Sequence, residues 1–304
     1  MKVQYPGVAD SIHSDVNNVR TLIRLFNVLP AGMYIDQTMQ AAKEELTIEC
    51  DYENEAQSQI KFQQLIQASP LHPSVHVPSI IPALSTQRIL TSEFVRGVPI
   101  DRVSRDGRHS LSQDKRDELC LRLLHLCLLE VFDFRFMQTD PNWSNFLYEE
   151  EGGVLHLIDF GASREYDKGF VDEYLRMVWA CAERDREGVI EASKKLGFLT
   201  GDESGRMLDA HVEAAFIVGE PFSAEYADGY DFANMDMGKR VSDLAKVMVK
   251  LRLTAPPKDS YTLHRKLSGC FLTCRKLEAK IACRQMFVDI YQRYQFSESS
   301  GGGQ

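Results

Sequence analysis

Asp140, Asn145 and Asp159 are the residues whose types and spacing point most directly to chemistry. They fall in FMQTDPNWSNFLYEEEGGVLHLIDFGASRE, residues 136–165, with Asn145 five positions after Asp140 and Asp159 a further 14 on. A carboxylate and an amide oxygen can hold magnesium against the charge of a transferring phosphate. A second carboxylate can orient the attacking hydroxyl or water. In that scheme Asn145 and Asp159 hold the metal, and Asp140 is the base or orienting group. The plainer alternative makes Asp140 a turn residue before Pro141 and Asp159 a surface cap. A lone DFG motif is weak, but one that ends a strand 19 residues after an Asp, with an Asn between, is specific.

Groups that must keep a fixed separation need a rigid frame. Asn145 to Tyr148 and Val154 to Ile158 read as a hairpin around a Glu/Gly turn at 149–153, delivering Asp159-Phe160-Gly161 at the end of its second strand. Gly161 is expected to permit a sharp chain reversal there. Upstream, residues 114–136 predict a buried apolar helix carrying Leu119, Leu123, Leu126, Leu129 and Phe132. Residues 8–26 place Val8, Ile12, Val16, Val19, Ile23 and Phe26 at helical steps of three and four. A second, acidic helical stretch is expected over 36–68. Prolines 70, 73, 78 and 82 then forbid a helix, and 75–84 and 87–95 read as strands around a short turn. A polar loop at 101–113 is the best linker candidate. Helices are expected from Tyr166 to about residue 295, broken at Ala255-Pro256-Pro257, before a Ser/Gly-rich, disordered tail at 297–304.

Composition excludes several classes. The 304 residues are 44% hydrophobic with a net charge of −9, too apolar for disorder and too acidic for a general nucleic-acid binder. No uncharged apolar run is long enough to span a bilayer. The opening MKVQYPGV is neither a signal nor a transit peptide. Seven cysteines with no CxxC make a poor disulfide or zinc framework, and they read as small core hydrophobes in a reducing compartment.

The D-x-x-x-x-N then DFG pattern resembles a protein-kinase-type catalytic core. The wording QTDPNWSN resembles the UbiB-type atypical kinase family, in its mitochondrial branch that supports coenzyme Q biosynthesis. Further supporting stretches are KVQYPGV, ECDYENEA at 49–56, FLTGDE at 198–203, HVEAAFIVGEPF at 211–222 and LHRKLSGCFL at 263–272. The resemblance runs from Lys2 to about Tyr294. It implies an α+β, protein-kinase-like two-lobe fold with an incomplete N-lobe at 1–96 and a mainly helical C-lobe at 97–296, with a cleft between. It implies ATP and Mg2+ as cofactors. Lys2 would contact the nucleotide phosphates and Glu55 would be its ion-pair partner. Ser92, Glu93, Phe94 and Val95 would form the adenine hinge, and Glu49 and Asp51 the family's E-x-D pair. Spacing alone does not choose Glu55 over its acidic neighbours, and without the resemblance Lys2 reads as a frayed surface lysine.

Departures from ordinary protein kinases shape the expectation further. No His-Arg pair precedes Asp140 and no A-P-E follows the DFG, so activation-loop phosphorylation is not expected. Asn142, Trp143 and Ser144 stand where the wider family has His-Pro-Gly; Trp143 either narrows access for a protein substrate or packs as a structural aromatic. On the resemblance, two strands, a nucleotide-covering loop and an N-terminal lysine motif precede Lys2 in the family, so this chain by itself is expected to bind ATP weakly. The implied partners are coenzyme Q biosynthetic proteins and a quinone-like lipid or membrane surface, not nucleic acid, with room for a homodimer. The implied location is mitochondrial, on the matrix side of the inner membrane. Two competing functions are a non-catalytic, nucleotide-responsive scaffold or lipid-presenting partner, and a small-molecule kinase of the antibiotic- or choline-phosphorylating kind.

Overall fold

The protein's structure, a computed structural model, describes residues 1–26, 35–104, 108–140 and 142–297. In chain order these form β1 (Lys2–Val3), α1 (Val8–Phe26), α2 (Ile35–Glu49), α3 (Tyr52–Gln67), β2 (Val75–His76), β3 (Ile89–Leu90) and β4 (Val98–Pro99). Next come α4 (Gln113–Phe132), β5 (Phe136–Gln138), β6 (Phe146–Glu149), β7 (Val154–Leu157) and β8 (Ser163–Glu165). The remainder is α5 (Lys168–Ala182), α6 (Arg186–Leu196), α7 (Gly205–Gly219), β9 (Tyr230–Asp231), α8 (Met237–Leu251), α9 (Lys258–Lys276), β10 (Lys280–Ile281) and α10 (Arg284–Arg293).

The chain packs as two compact units, one of residues 1–113, 138–164 and 262–269, the other of 114–137, 165–261 and 270–304. This division does not follow the chain boundary expected at 96/97. Residues 138–164, with Asp140, Asn145 and Asp159, pack with Lys2 and Glu55 rather than with the helical remainder. Strand pairing is the reason. β7 lies parallel to β2, with Val75 opposite Leu155 and His76 opposite His156. It also pairs antiparallel with β6 in the expected hairpin, from Phe146–Leu157 to Glu149–Val154. With β4 on the far side of β6, the sheet order is β2-β7-β6-β4. A separate pair, β1 with β3, sets Lys2 opposite Leu90.

Three expectations are corrected within this frame. The acidic stretch at 36–68 is two helices, because Asp51 has extended backbone and its carboxylate accepts from the Glu53 and Asn54 amides at 3.1 and 3.2 Å. That N-cap starts α3 afresh and stabilises it by about 1 kcal/mol. The strands expected over 75–84 and 87–95 shrink to β2 and β3. Between them only 79–81 and 91–93 pair, through Ile81 N–H to Thr91 O and Glu93 N–H to Ser79 O, both 2.8 Å. Pro78 and Pro82 lack the donors a longer ladder needs. The helix expected over 114–136 stops at Phe132, since Arg135 takes a φ of 50° and the chain leaves as β5.

The second unit carries a conventional core. Leu119, Leu123, Leu126, Leu129 and Phe132 of α4 are all buried, as are Cys120, Cys127, Cys181, Cys274 and Cys283, which pack as small apolar groups. Phe287 packs tilted against Phe132, Trp179 and Phe222 with centroids 6.5, 6.1 and 4.8 Å away. The tail expected to be disordered at 297–304 lies outside the described residues from 298 on. Ser297 itself is held, its N–H donating to Asp172 at 2.9 Å. Residues 105–107 of the candidate linker and Pro141 of the QTDPNWSN stretch also lie outside the described residues.

Candidate active site

The first unit brings three charged side chains of distant sequence to one point. The Lys2 ammonium donates to both Glu55 oxygens at 2.8 Å and lies 3.4 Å from both Asp159 oxygens. β1 delivers Lys2, held by its pairing with β3 and by Gln4, whose amide donates to Cys50 O at 2.7 Å. Glu55 sits one turn into α3 with its side chain fully buried. The Tyr52 ring, on the same face of α3, lies 5.2 Å from the Lys2 nitrogen.

Burial dominates the electrostatics. It pushes the Glu55 carboxyl up to about 7 and the Asp159 charge adds to this, while the Lys2 amine and the Phe160 N–H pull it back. For Lys2, burial disfavours the charge, but Asp159 and Glu55 together outweigh it and hold the amine above its ordinary value. One ammonium thus serves two carboxylates, and the more buried of them ionises with difficulty.

Gly161 lies in the expected chain reversal, where the Ser163 N–H donates to Phe160 O at 3.2 Å, and it also fills a tight space. Its backbone is not in the left-handed region. A Cβ placed on it would lie 3.2 Å from Glu55 Oε2 and 3.5 Å from the Glu49 Cα. The glycine makes room for the DFG turn against α2 and α3, and its N–H donates to Asp159 Oδ1 at 3.2 Å.

Asp140 and Asn145 form the second cluster. Asn145 Nδ2 donates to Asp140 Oδ2 at 2.7 Å, and the Asn142 N–H donates to Asp140 Oδ1 at 3.2 Å. A carboxylate accepts only, so it fixes the Asn145 amide with nitrogen toward Asp140 and Oδ1 away from it. Asn145 is also tied to the DFG strand, because its backbone carbonyl accepts from the Ile158 N–H at 3.1 Å. The residue beside Asp159 is therefore hydrogen-bonded to Asn145, and the hairpin fixes their spacing.

This donor set fits a hard cation. Asp159 is about a third exposed, and the Oδ1 of buried Asn145 is turned from Asp140. Among the described residues no group of three or more His, Cys, Asp or Glu side chains is placed to hold a metal. Two oxygens that leave most positions to water and phosphate suit magnesium, which keeps its waters. The E-x-D pair is split. Asp51 is committed to capping α3, while Glu49 ends α2 against Gly161. The segment expected as the hinge leaves β3 two residues beyond the partner of Lys2. It is pinned by the Ser79 N–H to the Glu93 carboxylate at 3.2 Å, and Phe94 is 84% exposed. Gln4 and Tyr52 were not anticipated. Gln4 shares the strand face of Lys2 at a spacing of two, and Tyr52 lies three before Glu55, one helical turn.

Comparisons with known proteins follow these lines. The family model described as the ABC1 atypical kinase-like domain matches residues 1–193. The chain is 46% identical over 294 residues to "Atypical kinase COQ8B, mitochondrial" of Danio rerio, covering 97% of this chain and 46% of that one. It is 45% identical to the protein of the same name from Rattus norvegicus, over 97% of this chain and 54% of that one. It is 38% identical to "Atypical kinase COQ8, mitochondrial" of Saccharomyces cerevisiae, over 96% and 56%. The chain spans about half the length of these curated relatives. A solved structure of Rv3197 with erythromycin from Mycobacterium tuberculosis superposes with a TM-score of 0.68 over 95% of this chain and 70% of that one. At 21% identity it bears on the fold alone. The match over residues 1–193 takes in Lys2, Glu55, Asp140, Asn145 and Asp159, and the chain belongs to the ABC1 atypical kinase-like domain family.

Proposed function

We propose that the first unit binds Mg-ATP, and that the chain is the catalytic part of an atypical kinase or ATPase supporting coenzyme Q biosynthesis in mitochondria. The observation that carries this reading is the Lys2 ammonium set 2.8 Å from Glu55 and 3.4 Å from Asp159. Asn145, the other proposed metal ligand, is bonded to Asp140. Lys2 binds phosphate oxygens and Glu55 orients it. When bound at Asn145 and Asp159, magnesium supplies charge neutralisation for the phosphates. Asp140 accepts a hydrogen bond from the attacking hydroxyl or water and takes its proton as attack proceeds. Ser92 to Val95 hold the adenine through their backbone N–H and C=O groups. Family membership and the relatives' printed names, atypical kinase and mitochondrial, support the wider role. The matrix side of the inner membrane, a quinone-like lipid and partner proteins of the same biosynthesis belong to this proposal. Among the described residues no helix is long and apolar enough to cross a membrane.

The test is ATP hydrolysis with Asp140→Asn and Asp159→Asn. Each is expected to lower turnover about 100- to 10,000-fold at unchanged melting temperature. Turnover equal to that of the parent chain in both variants would remove the catalytic assignment.

A further inference from the structure

Two imidazoles face each other across the β2–β7 ladder of the first unit. His76 and His156 are register partners on these parallel strands. Their rings meet edge to face with centroids 5.1 Å apart, and the two Nδ1 atoms are 3.0 Å apart. Each outer nitrogen is turned to a carboxylate. His76 Nε2 lies 3.8 Å from Glu93 Oε2, and His156 Nε2 lies 3.6 Å from Glu149 Oε2. His156 is buried, while His76 is partly open to solvent. Glu93 belongs to the proposed adenine segment, and the same Oε2 accepts from the Ser79 N–H at 3.2 Å.

This geometry limits the protons the pair can hold. At 3.0 Å the Nδ1 atoms share a hydrogen bond, so one carries a proton and the other accepts. Two imidazolium rings would aim two N–H donors at each other, so only one ring can be charged. Burial lowers the proton affinity of His156, and His76 lowers it further, with Glu149 and Glu93 opposing. The charge therefore sits on His76. Its Nδ1–H donates to His156, and the Nε2–H of neutral His156 is directed at Glu149. On deprotonation the proton leaves from His76 Nε2, since a bare Nε2 on buried His156 would face Glu149 with less screening. The His76 lone pair then faces Glu93, and attraction turns to repulsion. The charged groups acting on His156 are thus His76, Glu93 and Glu149. From α3, which packs on β2, the neutral Gln59 and Gln63 donate to the Pro78 and Val77 carbonyls at 2.6 and 3.1 Å.

We propose that His76 and His156 form a one-proton switch on the Ser92–Val95 segment: protonated, the pair holds Glu93 against Ser79, and deprotonated, it releases that carboxylate. The consequence for nucleotide binding rests on the proposed adenine role of this segment, whereas the switch itself does not. Tighter holding is present at low pH and is lost as pH rises through the titration of the pair.

The experiment follows ring and amide nitrogen shifts by NMR in the full chain between about pH 5 and 8, in the parent and in His76→Gln. In the parent, His76 alone is expected to gain a second proton, with the Glu93 amide shift moving at the same midpoint. In His76→Gln the Glu93 shift is expected to be flat over this range. Two rings that both become imidazolium, or a Glu93 shift that titrates alike in both proteins, would overturn the switch. Should His76→Gln not fold, the ring titration of the parent decides it. The ratio of ATP dissociation constants, His76→Gln over parent, is expected to be about three near pH 5.5 and about one near pH 8, as for a partly exposed ion pair. Taking the ratio cancels the response of Glu55, which both proteins share. A ratio independent of pH would overturn the link to the adenine segment. A parent chain that binds no ATP would refute the nucleotide reading, while the ring titration would still decide the switch.

Discussion

The two units are stabilised by different means. The first joins three helices, α1 to α3, to strands two to four residues long, and gathers buried or half-buried charge at one point, Lys2 with Glu55 and Asp159. The second is helical, and its centre is aromatic rings and thiols around Phe287 and α4. Buried charges contribute little net stability, because desolvation offsets their attraction. Buried apolar area contributes steadily. Changes around Phe287 should therefore unfold the protein, and changes around Lys2 should chiefly alter chemistry.

The sharpest way to break that contrast is Phe287→Ala. Removing a fully buried ring should destabilise the second unit by about 3–5 kcal/mol in denaturant unfolding, and activity per folded molecule should be unchanged. A parallel loss of specific activity would show that the units are not separable in this sense.

The second unit also holds a pH response. His211, bonded to Ser193 Oγ at 2.9 Å, is lowered to about 4 by burial, with Arg252 adding and Glu203 opposing. The folded state disfavours the proton, so this contribution is fully present above the unfolded value of about 6.5 and is lost as pH falls toward 4. Its size is roughly 3 kcal/mol, and His211→Gln should flatten the dependence measured by unfolding between about pH 4 and 7.

In the first unit, Glu55→Gln should reduce nucleotide affinity about tenfold, the value of one charge-assisted hydrogen bond. Parental affinity should rise with pH as the carboxyl, pushed up to about 7, ionises and completes its pair with Lys2. The Gln variant should show no such rise in a binding titration. The smallest expected effect is that of Gly161→Ala. Its methyl would press on Glu55 Oε2 from 3.2 Å, which should destabilise by roughly 1 kcal/mol in thermal unfolding and weaken nucleotide binding with it.

The second unit was largely legible in the sequence. The apolar period of 114–132 and the Ala255-Pro256-Pro257 break reflect burial repeated along a helix, which composition records locally. The hairpin was legible too, because alternation and a Glu/Gly turn are local signals. Helix ends were less so. The α2–α3 break depends on a single capping contact of Asp51, and the stop at Phe132 on one residue with positive φ.

For the site itself, residue type and spacing determined that Asp140, Asn145 and Asp159 come off one hairpin, since a short covalent connection leaves them little freedom. The chain alone did not decide that Lys2 meets Glu55 rather than Glu53, or that the turn at Gly161 packs closely on Glu49 and Glu55. Nor did it decide that Lys266 on α9 donates to Gln138, 128 residues before it. Those depend on packing between segments far apart in the chain, where position is set by burial and strand pairing and no local pattern encodes it.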